Sequence, residues 1–386
     1  MPSTQPTPFR AGTAALTTTV ATVCPVFLVG GLSVQITGDL GITAAGLGLV
    51  VGLYFTASAI VSVYTGRLVE RVGARTAGRA AIILSAVTLL GIATSTNLTT
   101  LTAWMVLSGP ANSLGQLASN ALLARRVPAH RQGLMFGVKQ AAVPFSTTLA
   151  GIAVPVVALT LGWQWAFVLA AALALTALPV LPATPRATDS ANTPAPGRAK
   201  PSTGLIVVTV AAALGATAAN PLGSFIAEYG VDRGLSEATA GLTVTLGGFA
   251  GLIARISVGW LADRRTGGRL TMVAVMLATG AVGLALLAAP TVWTIPVGTA
   301  IGFALGWAWP GLLNFAISRR HPEAPAAATG ITQTGVYLGG GLGPLAFGAI
   351  VELWSFPVAW MSMAVLMAIA AVTTVIGRQL LLRATP

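Results

Sequence analysis

The chain has 386 residues, of which 55% are hydrophobic and only 8% charged, with 21 Lys and Arg against 9 Asp and Glu. A soluble domain carries roughly 25% charge, so water is excluded as the main solvent, and a mean hydropathy of +0.83 points to a membrane. A single cysteine, Cys24, and two histidines, His130 and His321, exclude an internal disulfide and a multi-thiolate metal site and leave no visible hydrolytic or cofactor chemistry.

A membrane-spanning helix needs about 20 apolar residues, and runs of that length recur throughout. In chain order the sequence predicts twelve helices, the first six over about 12–36, 44–65, 80–97, 101–124, 132–160 and 164–183. The other six fall at about 204–229, 238–261, 270–289, 292–317, 326–350 and 356–377. Pro2 to Ala11 carries the single Arg10, so no cleavable leader is expected and the first span serves as the insertion signal. Between the sixth and seventh helices the composition shifts to Pro, Ala, Thr and Ser. That shift predicts a cytoplasmic linker over 184–203 between an N-terminal six-helix bundle, 1–183, and a C-terminal one, 204–386.

The net charge of +12 reads as topology once the basic residues are located. Arg67, Arg71, Arg75 and Arg79, then Arg125, Arg126 and Arg131, then Arg264, Arg265 and Arg269, then Arg319 and Arg320 fall in alternate loops. The intervening loops carry Asp39, Glu228, Asp232, Glu237 and Glu352. The positive-inside bias therefore puts both termini in the cytoplasm of a multi-pass protein in the cell membrane. The lipid bilayer is the partner implied, and nucleic acid is not.

Sliding the second half over the first at an offset of about 193 residues aligns several separate segments. Gly41-Ile42-Thr43 matches Gly234-Leu235-Ser236, with Thr43 and Ser236 standing as N-caps. Gly66, Leu68 and Arg71 match Gly259, Leu261 and Arg264, with Glu70 facing Asp263. A near-constant register across so many helices predicts two pseudo-symmetric halves, a plan that suits alternating access around a site near the midplane.

The run Gly66-Arg67-Leu68-Val69-Glu70-Arg71-Val72-Gly73 resembles the loop signature of the major facilitator superfamily, and Gly259-Trp260-Leu261-Ala262-Asp263-Arg264-Arg265 is closer still. The resemblance covers essentially the whole chain and implies an all-α fold of two six-helix bundles and a transporter rather than an enzyme. The first copy departs from the pattern with Glu70 for Asp and Ala74 for a basic residue. Physically the signature makes sense as a latch. Gly66 or Gly259 lets another helix approach closely, and Glu70 or Asp263, beside Arg71 or Arg264, can face a helix N-terminus or an arginine such as Arg126 or Arg319.

No phosphate-binding loop of the Gly-x-x-x-x-Gly-Lys type occurs, so transport is expected to be passive or ion-coupled. The substrate is sought among ionisable residues inside spans, each of which costs roughly 2.5 to 3.5 kcal/mol at the bilayer centre. Lys139, about seven residues into the fifth span, and Arg255, about six from the inner end of the eighth, reach similar depth by the 1.5 Å helical rise. No mid-span carboxylate neutralises them, so either an anion bridges them or both snorkel to the inner interface. The position of Arg255, four residues before Gly259, is similar to that in monocarboxylate and oxalate carriers, and Gly137-Val138-Lys139-Gln140-Ala141 to cyanate-permease-like members.

Neutral polar residues outline a cavity around these two cations. Asn112, Gln116 and Asn120 make one stripe on the fourth span and Thr329, Gln333 and Tyr337 another on the eleventh, with Gln140 adjacent and Trp307 and Trp309 as an apolar wall. Helix-to-helix hydrogen bonding explains such stripes as well as ligand contact does. Three readings follow: a proton-linked carrier of a small organic or inorganic anion, a proton-coupled exporter of drugs or amphipathic metabolites, and, disfavoured, a membrane enzyme or sensor.

Overall fold

A computed structural model describes residues 8–128, 131–182, 202–265, 267–321 and 325–383. Most of the expected linker, 184–203, lies outside the described residues. Among those described, every regular element is helical.

The first half begins with α1 (Pro8–Gly31), which continues through a bend at Leu32 into α2 (Ser33–Leu40). There follow α3 (Ala44–Val72), α4 (Ala74–Ala93) and α5 (Leu98–Arg126). Thr43 caps α3 by accepting from Gly46 N at 3.2 Å, as its sequence position predicts. The expected single helix over 132–160 is instead α6 (Gln132–Gln140), α7 (Ala142–Ala153), a π segment (Val154–Ala158) and the single turn α8 (Leu159–Leu161), before α9 (Trp163–Leu175). Pro144 lacks the N–H that would donate to the Gln140 carbonyl, and Pro155 opens the π segment.

The second half is interrupted at different places. The span expected at 204–229 is α10 (Thr203–Ala219) and α11 (Pro221–Asp232), separated at Asn220 by the proline that follows it. Next come α12 (Glu237–Arg264), capped by Ser236 accepting from Thr239 N at 3.3 Å, and α13 (Arg269–Leu287). The span expected at 292–317 is α14 (Thr294–Ile301), a π segment (Gly302–Gly306), a break at Trp307 and Ala308, and α15 (Trp309–Arg320). The chain ends in α16 (Pro325–Leu353) and α17 (Phe356–Arg383).

Eleven of these helical stretches are long and apolar enough to cross a membrane. The twelfth expected span is α5, which has 29 residues but whose apolar run is diluted by Ser108, Asn112, Gln116 and Asn120. Side chains on the outer faces fit a lipid surround: Ile83, Val87 and Leu90 form an exposed stripe along α4. Inside, where lipid removes the hydrophobic driving force, small residues let backbones approach. A Cβ at Gly30 would lie 2.0 Å from the Gly223 carbonyl, so α1 and α11 touch there because residue 30 is glycine. The Gly339-Gly340-Gly341 run does the same for α16, where a Cβ on Gly339 would meet the Ala213 carbonyl at 2.2 Å. α3 packs along α16 and α12 along α7, and α1 is buried between α5, α7 and α11.

Candidate functional site

Two interruptions meet at one side chain. Arg255 of α12 is 6% exposed and donates from Nη1 to the Gln140 carbonyl at 2.7 Å and from Nη2 to the Trp307 carbonyl at 2.7 Å. Gln140 stands at the end of α6, where Pro144 leaves its carbonyl without a helical donor, and Trp307 lies in the break before α15. A planar guanidinium can serve both acceptors at once, and bonds from a charged donor are the strong kind. The Trp307 ring stands 6.0 Å from the guanidinium carbon, completing its surroundings.

Lys139 sits one residue before that break and is only 1% exposed. Its Nζ donates to Gln116 Oε1 and to Asn120 Oδ1, the latter at 2.9 Å, so two amides one turn apart on α5 enclose the amine. Neither cation snorkels, because the polar head of each is buried among α-helices at its own depth. Neither bonds a carboxylate among the described residues.

A cavity of about 90 Å³ lies beside Arg255. Its polar lining comes from Asn112, Gln116, Gln140, Asn220, Gln333 and Tyr337, and its aromatic lining from Phe27, Tyr54, Phe55 and Trp307. No acid is among its lining residues. A smaller space towards the Asp263 end of α12 is walled by Gly133, Gly137, Gly259 and Gly311. Arg255 and Gln140 line both spaces and separate them.

Of the residues expected at the site, the structure brings Asn112, Gln116, Gln140, Arg255, Gln333 and Tyr337 to one cavity. Lys139 stands behind that wall, held by Gln116. Trp309 is a correction: it is 1% exposed, donates to the Gly306 carbonyl at 2.9 Å and packs on Gly215, so it belongs to the core. Trp307, two residues earlier and on the other side of the helix start, is the indole that lines the cavity, at 5.6 Å from the Phe27 ring. Sequence reasoning missed Tyr54 and Asn220. The Asn220-Pro221 pair in the middle of an apolar span was a usable signal for the second, and one of only four tyrosines falling mid-span was a weak one for the first.

The two copies of the loop signature differ. Asp263 Oδ2 accepts from Leu134 N at 2.9 Å, so this acid caps the N-terminus of α6, while Gly259 lets Gly133 approach, a Cβ there lying 3.3 Å from its carbonyl. Arg264 turns back over the Trp260 ring at 3.7 Å, and Arg319 is exposed at the end of α15. In the first copy Gly66 is a correction, since no described atom comes within 4 Å of a Cβ placed there and close packing does not explain it. Arg71 is exposed in the last turn of α3, Arg126 is half-buried at the end of α5, and the Glu70 side chain lies outside those described.

A helical scaffold of interrupted membrane-length rods around a central polar cavity is the plan of a solute carrier. The sequence profile of the Major Facilitator Superfamily matches residues 14–344 and 205–381, and the chain belongs to that family of membrane transporters. No curated protein matches the chain. Among solved structures it is similar to a point mutant of the nucleoside transporter NupG, with 12% identity and a TM-score of 0.72 over 95% of this chain and 99% of that one. It is also similar to a bacterial homologue of the human lysosomal transporter Spinster in an inward-facing and occupied conformation, with 16% identity and a TM-score of 0.73 over 96% and 97% of the two chains. At such identities the likeness is one of fold. The family and these neighbours are transporters of small molecules, which sets the chain apart from membrane enzymes.

Proposed function

We propose that the protein is a secondary active carrier of a small organic or inorganic anion, coupled to protons and working by alternating access in the cell membrane. The observation that carries this reading is the pair of buried cations, Lys139 and Arg255, satisfied only by neutral oxygens beside a cavity without a lining acid. A buried charge without a counter-charge is costly, and a bound anion would supply it. Arg255 lines the cavity and would grip the anion directly, with the amides of Asn112, Gln116, Gln140 and Gln333 and the Tyr337 hydroxyl around it. Lys139 adds its charge from behind Gln116. The space of about 90 Å³ suits a small solute.

In this reading residues 1–183 and 204–386 form two six-helix bundles, α5 is the twelfth span, the linker over 184–203 and both termini are cytoplasmic, and the bundles rock about the site. The corresponding contacts of α3 with α16 and α12 with α7 support it. Asp263 of α12, which caps the start of α6, serves as an inner latch, with Glu70 as its counterpart.

The test is thermal-shift binding of the purified protein against acetate, oxalate, nitrate and cyanate, with tetraethylammonium and glucose as cationic and neutral probes, repeated in Arg255→Met. Stabilisation by at least one anion, lost in the variant, is expected. Stabilisation by the cation or the neutral solute alone, unchanged in the variant, would overturn the anion reading in favour of the exporter.

A further inference from the structure

The proton that a coupled carrier moves needs a group to ride on, and the cavity offers no carboxylate for it. The side chain packed directly behind the wall is a lysine in an enclosure of unusual hydrogen-bonding count. A neutral primary amine has two N–H donors and one lone pair, whereas an ammonium has three donors. Lys139 is given two acceptors, Gln116 Oε1 and Asn120 Oδ1, and no third among the described residues. Both N–H groups of the neutral amine are therefore satisfied in this box, with only its lone pair open to take a proton, while the ammonium has one N–H left over and an unbalanced charge at a site 1% exposed. A box with a carboxylate would hold the lysine permanently charged; a box with no acceptors would hold it permanently neutral.

We infer that Lys139 is the proton carrier of this transporter, protonated when an anion occupies the cavity and deprotonated when the anion leaves. This rests on the anion-carrier reading and names its coupling group. The balance is simple: the amine lone pair takes one proton from the side on which the anion binds, the bundles rock and open the site to the other side, and once the anion has departed there the N–H bond breaks and the proton leaves to that side as well. One proton and one negative charge move together, so transport of a monovalent anion is electroneutral.

The helices packed on α6 carry few rival groups. α12 presents Arg255, a guanidinium that stays charged, and Asp263, which is engaged at Leu134 towards the inner end. α5 presents the two amides and ends in Arg125 and Arg126; α15 has Arg319 and Arg320 at its inner end; α1 has Arg10 at its start and the buried thiol of Cys24. α7 has no ionisable residue. Gln116 and Asn120 thus act as positioning residues, because moving either acceptor changes the balance between the two forms of the amine.

The experiment measures proton uptake by the purified full-length protein in weakly buffered detergent solution when the most stabilising of acetate, oxalate, nitrate or cyanate is added, across about pH 6 to 9. In the wild type proton uptake on anion binding is expected, larger at the upper end of that range than at the lower, where more of the amine is already charged before binding. Lys139→Arg, which cannot deprotonate, loses the uptake at every pH when measured at an anion concentration that saturates the variant. Should arginine not fit the box, Asn120→Asp supplies a test of the same size as the native residue: a carboxylate beside the amine holds it charged, so uptake vanishes while thermal unfolding still shows a folded protein. Undiminished proton uptake in Lys139→Arg or Asn120→Asp, or anion binding by the wild type with no proton uptake at any pH, would overturn the inference. If no anion binds the wild type at all, the carrier reading itself falls and takes this inference with it.

Discussion

The two buried cations are placed at one level of the molecule and are served in opposite ways. Arg255 is tied to backbone, spanning from α12 to a carbonyl at the end of α6 and another in the break before α15. Lys139 is tied only to side chains, and both belong to the neighbouring helix α5. The arginine thus ties elements from both halves of the sequence together with two of its five N–H donors, which leaves three for an anion. The lysine ties α6 only to its neighbour α5, and its partners would accept from an amine in either state. In the proposed carrier the contrast separates two jobs, recognition and storage of charge.

The largest effect that would break this comparison is at Arg255. Arg255→Lys keeps the charge but cannot reach both carbonyls, and at about 1.5 to 3 kcal/mol for each hydrogen bond to a charged group it is expected to weaken anion binding on the order of 100-fold. Calorimetric titration checks this, and binding within a few-fold of wild type would show that the bridge is incidental. A smaller effect is expected at the proposed inner latch. Asp263→Ala removes a helix cap worth about 1 kcal/mol, which makes the inner face open roughly fivefold more often. The reaction rate of a water-soluble maleimide with Val258→Cys, in a Cys24→Ser background, reads that opening directly. The smallest effect separates the two signature glycines. Gly66→Ala meets no described atom and should be neutral or stabilising by up to about 1 kcal/mol in thermal unfolding. Gly259→Ala brings a methyl group to 3.3 Å from the Gly133 carbonyl, against which that gain is lost.

Much of this was legible before any coordinates. The starts of α3, α12 and α17 fall within a residue or so of the expected 44, 238 and 356, because caps and charge breaks mark where an apolar run begins. The polar stripe of α5 and the polar residues of α16 were readable at helical spacing. The interruptions were not read, although Pro144, Pro155 and Pro221 were in view, since prolines are tolerated in membrane helices and do not say which carbonyl they orphan or what replaces the lost donor. Trp307 and Trp309 could not be told apart either. Both lie in a span that is apolar on every side, so no amphipathic pattern indicates the inward face, and the break between them turns one indole into the cavity and the other into the core.

The polar character of α5 has a consequence for how the protein is made. Its partners on earlier helices are present when it emerges: Ser58 of α3 accepts from Asn112, Thr65 of α3 accepts from Ser113, and the Ala15 carbonyl and Thr19 hydroxyl of α1 bond Ser119. A helix too polar to prefer lipid alone can therefore leave the translocation machinery against neighbours already inserted. Gln116 and Asn120 are the exception, because the amine they enclose is synthesised later, on α6. Biogenesis of this half of the protein is complete only when Lys139 arrives, and a chain stalled before that residue would expose two unpaired amides to whatever quality control surveys the bilayer.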